Sequence, residues 1–274
     1  MFRTRLILIK GAGDLASGIA HRLHRSGFPV VMTEIAAPLT VRRSVSFAQA
    51  VFDGKQMVEG VESRRSRTDK VYDLLHQRVI PILIDPDALA ARTLKPTVLI
   101  DAIMAKHNTG TTVEDAPLVI ALGPGFRCGL DCHVVVETNR GHNLGRAIWR
   151  GEAEADTGLP GDLPGVSPKM SRVLRAPIAG HISARFEIGE MVQDASTIAT
   201  IQSPEGENVE ITAPFTGVLR GIIHADVPIL KGMKIADLDP RARPEYCRTI
   251  SDKALAVGGG TLEAILTGLN SGQI

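Results

Sequence analysis

The stretch from Arg5 to Gly18 constrains the fold most. An apolar run, Leu6-Ile-Leu-Ile9, meets Lys10 and then Gly11 and Gly13 before a helical pattern sets in. The expected local structure is strand, tight turn, helix. Gly11 turns the backbone without a Cβ clash, Gly13 lets a ligand's phosphates approach the main chain, and Ala16 lets the helix pack closely on the strand. Ala16, Ile19, Ala20 and Leu23 fall on one helix face, and Gly27 ends the helix. The next apolar run, Pro29-Val-Val-Met-Thr-Glu34, is a second strand, and its terminal carboxylate stands where a ribose-binding acid belongs. The corner therefore predicts a nucleotide-type ligand at the helix N-terminus. Glu34 would repel a 2′-phosphate, which favours NAD, FAD or S-adenosylmethionine over NADP. Asp14 lies where a pyrophosphate's charge would fall and can cap the helix itself. It must point away, be bridged by a cation, or accompany a ligand other than a diphosphate.

Beyond that corner, near-continuous apolar runs recur at Val79-Ile-Pro-Ile-Leu-Ile84, Thr97-Val-Leu-Ile100, Pro117-Leu-Val-Ile-Ala-Leu122 and His133-Val-Val-Val136. Strands buried on both faces read this way, so the fold class is α/β with a Rossmann-like, mostly parallel sheet over residues 1–150. Helices are expected over Pro38 to Phe52 and Thr68 to Gln77, with a short strand near Met57-Val58. Ligands of such sheets sit at the carboxyl ends of the strands. The residues there are Asp85, Asp101 and Lys106, Gly123 and Gly125, and Glu137 through His142. Asp101 and Lys106 can orient a polar ligand, and Gly123 and Gly125 can offer N–H groups to an anion.

Formal charge is +1 over 274 residues, which supplies no field to hold nucleic acid. Arg42-Arg43 and Arg64-Arg65-Ser-Arg67 read as solvated faces, with a phosphate clamp as the alternative. Four apolar residues before Lys10 are too few for a secretory signal, and no stretch is long enough for a membrane span. Three cysteines make an odd count, so the expected compartment is the cytoplasm. The spacing of Cys128 and Cys132 is wrong for a zinc knuckle, and no residue is assigned to a metal. Neither a nucleophile elbow nor a Walker loop is present.

Residues 151–169, rich in Gly, Pro and acid, read as a linker. An internal repeat follows: Ala176-Pro-Ile-Ala-Gly180 recurs 37 positions on as Ala213-Pro-Phe-Thr-Gly217. The offset also matches Ile182 with Leu219, Val192 with Ile229 and Ile201 with Leu238. Residues 170–240 thus resemble the biotinyl and lipoyl carrier domains, a flattened β barrel of two interlocked sheets. The hairpin that bears the modified lysine in those carriers reads here Gln202-Ser-Pro-Glu-Gly206, with no lysine, so covalent carriage is not expected. Residues 241–274 are expected to be helical and to pack back on the first domain, with Gly258 to Gly260 allowing close backbone contact.

Across almost the whole chain the motifs resemble the selenium-dependent molybdenum hydroxylase system proteins, accessory factors distantly similar to xanthine dehydrogenase maturation factors. The resemblance rests on Lys10-Gly-Ala-Gly-Asp-Leu-Ala-Ser-Gly18, Glu34, Asp101-Ala-Ile-Met-Ala-Lys106, Gly123-Pro-Gly-Phe126, Glu137-Thr-Asn-Arg-Gly-His142, Asp239-Pro-Arg241 and Thr249-Ile-Ser-Asp-Lys253. It implies a maturation protein that binds a nucleotide-bearing cofactor, a molybdopterin dinucleotide, NAD or FAD, and presents it to an apo molybdenum hydroxylase. The site residues would be Gly11, Gly13, Asp14, Glu34, Asp101, Lys106, Gly123, Gly125 and His142, with no catalytic role assigned. A NAD-dependent oxidoreductase using His142 or Lys106 as proton donor is one alternative. A structural partner protein is another, and homo-oligomerisation is left open.

Overall fold

The computed structural model describes Phe2, residues 4–156 and residues 172–274. Most of the expected linker, from residue 157 to 169, lies outside the described residues. The chain forms two compact units. One comprises Met1–Ala36, Ser46–Leu159 and Ile250–Ile274, and the other Ala37–Val45 and Pro160–Thr249.

The first unit is mixed α/β. Its elements are β1 (Ile7–Lys10), α1 (Asp14–Arg25), β2 (Val30–Glu34), α2 (Ala50–Asp53), β3 (Lys55–Val58), β4 (Val61–Ser66) and α3 (Val71–His76). They are followed by β5 (Ile80–Ile84), α4 (Ala91–Leu94), β6 (Val98–Asp101), β7 (Leu118–Leu122), β8 (Val134–Val136), β9 (Ala147–Ile148) and the C-terminal α5 (Asp252–Asn270). The nine strands form one sheet in the order β3-β4-β5-β2-β1-β6-β7-β8-β9. From β4 to β8 every neighbouring pair is parallel, and the hairpin β3/β4 and the pair β8/β9 add antiparallel margins. β1 is flanked by β2, which pairs Ile7 with Val30, and by β6, which pairs Ile7 with Val98. The chain thus winds one way from β1 through β2 to β5 and the other way from β6 to β8. Open parallel sheets have their crevice at such a reversal.

The apolar runs are strands because they are covered on both faces: Ile7, Leu8 and Ile9 are fully buried, as is Leu118 to Leu122 within 1% exposure. β4 escaped the sequence reading because its residues, Val61-Glu-Ser-Arg-Arg-Ser66, carry charge. Only Val61 and Ser63 are buried there, and the rest of that strand is half-buried or exposed. The helix expected over Pro38 to Phe52 is corrected. The chain makes single 3-10 turns at Arg43–Val45 and Phe47–Gln49 before α2, and crosses between the two units at Val45 and Ser46. Phe47 and Ala48 are fully buried and held locally, Ala48 donating to the Ala12 carbonyl at 2.9 Å and Phe47 to Ser17 Oγ at 2.7 Å.

α5 starts at the N-cap Ser251, whose hydroxyl accepts from Ala254 N–H at 3.2 Å. It lies against α1 and the turn before β9 at backbone distance. A Cβ on Gly18 would fall 2.7 Å from Ala254 Cβ, and one on Gly260 only 1.8 Å from the Gly145 carbonyl oxygen.

The second unit holds β10 (Val173–Arg175), β11 (His181–Ala184), β12 (Met191–Val192), β13 (Thr197–Gln202), β14 (Asn208–Thr212), β15 (Gly217–Ile222) and β16 (Lys234–Asp239). They make two antiparallel sheets, β10-β16-β15-β12 and β11-β13-β14. The sequence repeat reappears in the pairing. Leu174 pairs Ala236 and Ile211 pairs Ala199, so the first strand of each copy pairs with the last strand of the other. The glycines repeat too: a Cβ on Gly180 would meet the Gln202 carbonyl oxygen at 2.0 Å, and one on Gly217 that of Asp239 at 2.8 Å. Larger residues are excluded at both, which is why the Ala-Pro-x-x-Gly signature is visible in the sequence.

Candidate ligand site at the carboxyl edge of the sheet

The carboxyl ends of β1, β2, β6, β7 and β8 bring most of the expected residues to one edge of the first unit. Several are spent on the chain's own architecture. Gly11, at φ +89°, donates to Thr33 O at 2.9 Å, and the side on which a Cβ would stand is filled by the Ala102 carbonyl oxygen at 3.0 Å. Glu34 bends back into the turn. Its Oε2 accepts from Ala12 N–H and its Oε1 from Ile35 N–H, both at 2.8 Å. Burial pushes its carboxyl up from the usual range, against those two hydrogen bonds. Lys10, Thr111 and Asp101 form a buried chain: Lys10 Nζ donates to Thr111 Oγ1 at 2.6 Å, and Thr111 Oγ1 to Asp101 Oδ2 at 2.5 Å. Lys10 Nζ lies 3.4 Å from the same carboxylate, which is 1% exposed.

The loops after β6 and β7 touch each other. A Cβ on Gly125 would fall 2.7 Å from the Lys106 carbonyl oxygen, while Lys106 Nζ pairs with Asp156 at 2.7 Å. Gly123 is closed in by Ala153, whose Cβ stands 2.1 Å from where its own would be. Its N–H donates to Val136 O at 3.0 Å and its carbonyl accepts from Thr138 Oγ1. Neither glycine presents an open anion cradle. After β8, Glu137 is buried and accepts from Asn139 N–H and Glu154 N–H, each at 2.7 Å. Asn139 and Asn143 both donate to the Glu154 carboxylate, which holds its pKa below the usual range. Arg140 grips Asp252, the first residue of α5, with two hydrogen bonds of 2.6 and 2.8 Å. His142 is exposed.

What stays open is Gly13 and the start of α1. Gly13 is the N-cap, no side chain caps it, and nothing lies within 4 Å of where its Cβ would be. Asp14 turns its Oδ1 to the Leu15 N–H at 3.0 Å. Within electrostatic reach of Asp14 at this end of α1 is Lys253, from the first turn of α5, which the sequence reading did not place among the site residues. Burial lowers its pKa, Asp14 and Glu137 act to raise it, and Arg140 and Lys106 lower it further. Arg140, Lys106 and Lys10 each have an acid of their own. Among the described residues no hydrogen-bond or ion-pair partner is found for the Lys253 ammonium. The signal that could have found it is Ser251-Asp252-Lys253, a capped helix start placed by the glycines behind it against the start of α1.

Burial raises all three thiols, Cys132 to about 12. Among the described residues no group of three or more His, Cys, Asp or Glu side chains could hold a metal ion, and no helix is long and apolar enough to cross a membrane.

The chain is 45% identical over 269 residues to the uncharacterized protein YqeB of Escherichia coli K12. That match covers 98% of this chain and 48% of YqeB, so the chain spans about half the length of the curated relative it matches. No family model matches. Among solved structures it is similar to a succinylglutamate desuccinylase from Silicibacter sp. TM1040, at 16% identity and TM-score 0.27, covering 87% of this chain and 85% of that one. A succinylglutamate desuccinylase/aspartoacylase from Rhodobacter sphaeroides gives 13% identity and TM-score 0.27, covering 86% of this chain and 85% of that one. The ectoine utilization protein EutE (DoeB) from Ruegeria pomeroyi gives 13% identity and TM-score 0.27, with 85% of each chain covered. Likeness at this level carries no argument about this chain's activity.

None of these comparisons points to a molybdenum hydroxylase accessory family, which corrects the expected kinship, and the maturation role is withdrawn together with its oxidoreductase and structural-partner alternatives. The Rossmann nucleotide-binding reading of the first corner is withdrawn as well. Its physical weakness is visible at Glu34, which binds the turn's own N–H groups, and at Gly11, whose open side is filled by Ala102.

Proposed function

We propose that this protein binds a small anionic molecule, phosphate- or carboxylate-bearing, between the N-terminus of α1 and Lys253. The observation that carries the reading is the Lys253 ammonium, half-buried at the start of α5, with no hydrogen-bond or ion-pair partner found among the described residues. A partly desolvated cation of that kind gains from an anion that joins it. The helix start at Gly13 adds N–H groups and a partial positive charge on the same side. Asp14 then selects for a ligand that also carries a donor, such as a hydroxyl, beside its anionic group. The cofactor class expected from the sequence remains a candidate occupant to be tested, with NAD and FAD in the panel.

The test is calorimetric titration of the full chain with inorganic phosphate, pyrophosphate, succinate, NAD and FAD. At least one should bind, weaken tenfold or more in Lys253→Met, and recover in part in Lys253→Arg. Binding that ignores Lys253→Met, or silence across the panel, overturns the proposal.

For the second unit we propose that its two sheets close into the flattened barrel that the repeat suggests, without a modified lysine. We keep the cytoplasm as the proposed compartment, supported by three cysteines that all remain free thiols.

A further inference from the structure

The Arg64-Arg65-Ser-Arg67 run lines a cleft of about 1460 Å³ at the carboxyl ends of β4 and β5. The same cleft is lined by the buried Leu74 and Leu83 and by Ile84 and Leu89, which are 46% and 53% exposed. Large apolar side chains left half in water in a concave place are the usual mark of a ligand surface.

The charges around the cleft sort themselves by partner. Arg64 pairs with Glu62 at 2.5 Å, Arg67 with Asp69 at 3.1 Å and Lys70 with Asp73 at 3.3 Å. Asp85, the acid at the end of β5, is turned onto backbone, accepting from Leu89 N–H at 3.0 Å and Ala90 N–H at 2.8 Å. Arg65 alone of the four cations has no acidic partner among the described residues, and gives one Nη1–H to the neutral Val51 carbonyl at 2.8 Å. Its guanidinium keeps donors in a fork that suits a carboxylate, sulfonate or phosphate.

We infer that this cleft binds a small molecule with an anionic head and an apolar aryl or acyl body. The head pairs with Arg65, and the body lies over Ile84 and Leu89. Exposed ion pairs such as Arg67 with Asp69 contribute little by themselves and leave the discrimination to Arg65 and the apolar floor.

The probe is 8-anilinonaphthalene-1-sulfonate, titrated by fluorescence into the natively folded full chain, with N-phenyl-1-naphthylamine as its uncharged counterpart. One saturable site is expected, with Kd raised at least tenfold by Leu89→Gln and by Arg65→Gln, and the uncharged compound at least tenfold weaker. Because Arg65 also holds the Val51 carbonyl, Ile84→Gln serves as a second apolar-floor variant, and far-UV circular dichroism with unchanged melting confirms folding in each. No saturable binding, binding unmoved by Leu89→Gln and Ile84→Gln, or equal affinity for the uncharged compound would overturn the inference.

Discussion

Three consecutive glycines in α5 give a graded test of the packing that puts Lys253 at the edge of the sheet. A Cβ at Gly260 would stand 1.8 Å from the Gly145 carbonyl oxygen, where about 3.4 Å is ordinary contact, so helix and turn must part by about 1.5 Å. The turn has no easy retreat, because Gly145, at φ +82°, itself abuts the Ala256 carbonyl: a Cβ there would fall 2.6 Å from that oxygen. Overpacking of this kind costs about 1–3 kcal/mol, and the helix-propensity gain of Gly to Ala returns at most about 1 kcal/mol. With the approach at 1.8 Å and against backbone, the upper end of that cost applies, and Gly260→Ala is expected to lose about 1–2 kcal/mol net. At Gly259 the nearest atom to an added Cβ is Arg22 Nη1 at 3.8 Å, so only the propensity term acts. Gly259→Ala should gain about 0.5–1 kcal/mol. In a chain of this size each kcal/mol moves Tm by about 2–4 °C, so the neighbouring variants should separate by several degrees with opposite signs. Urea denaturation followed by far-UV circular dichroism supplies the free energies. Equal stability of wild type and Gly260→Ala, or a loss at Gly259→Ala as large as that at Gly260→Ala, would refute the reasoning.

Three further outcomes follow from the buried charges. Lys10→Met leaves the Asp101 carboxylate buried with only the Thr111 hydroxyl and the Ile103 N–H, and should destabilise the first unit by about 3–5 kcal/mol in urea melts at pH 7. Glu34 has its pKa raised by burial, so the native state holds the proton longer than the unfolded chain. Wild-type stability should fall as pH rises from the ordinary glutamate value of about 4.3 through the raised one, a fall that urea midpoints of Glu34→Gln should lack. Lys253 is the opposite case: its lowered pKa means the unfolded chain binds more protons, and stability rises with pH between the lowered value and about 10.4. Lys253→Met should thus be more stable than wild type at pH 7, with an advantage that shrinks towards pH 10; an advantage constant with pH would exclude a charge effect.

The sheet was legible because its strands are buried on both faces and their apolar runs are unbroken, as at Leu118 to Leu122. β4 was not, since its charged residues alternate with only Val61 and Ser63 buried, and a charged run reads as surface. The repeat was legible because Gly180 and Gly217 each abut a carbonyl oxygen of the strand they face, leaving no choice of residue. The edge of the sheet was half legible. Sequence placed Asp101, Lys106, Glu34 and the glycines at strand ends, but whether a carboxylate faces a guest or its own backbone depends on side-chain direction. Glu34 turning onto Ala12 and Ile35 is set by three-dimensional closure of the corner and leaves no periodic signal. Lys253, more than two hundred positions from Gly13, joins the site only through the packing of α5 on α1.

The most direct measurement is the titration of Lys253 itself. Reductive ¹³C-methylation of the lysines, with the Lys253 resonance assigned by its loss in Lys253→Arg, reports that pKa by NMR with and without saturating pyrophosphate. The account predicts a value clearly below those of the exposed lysines in the free protein and an upward shift when the anion binds beside it. A resonance titrating with the exposed lysines, unmoved by any anion that binds the chain, would contradict it.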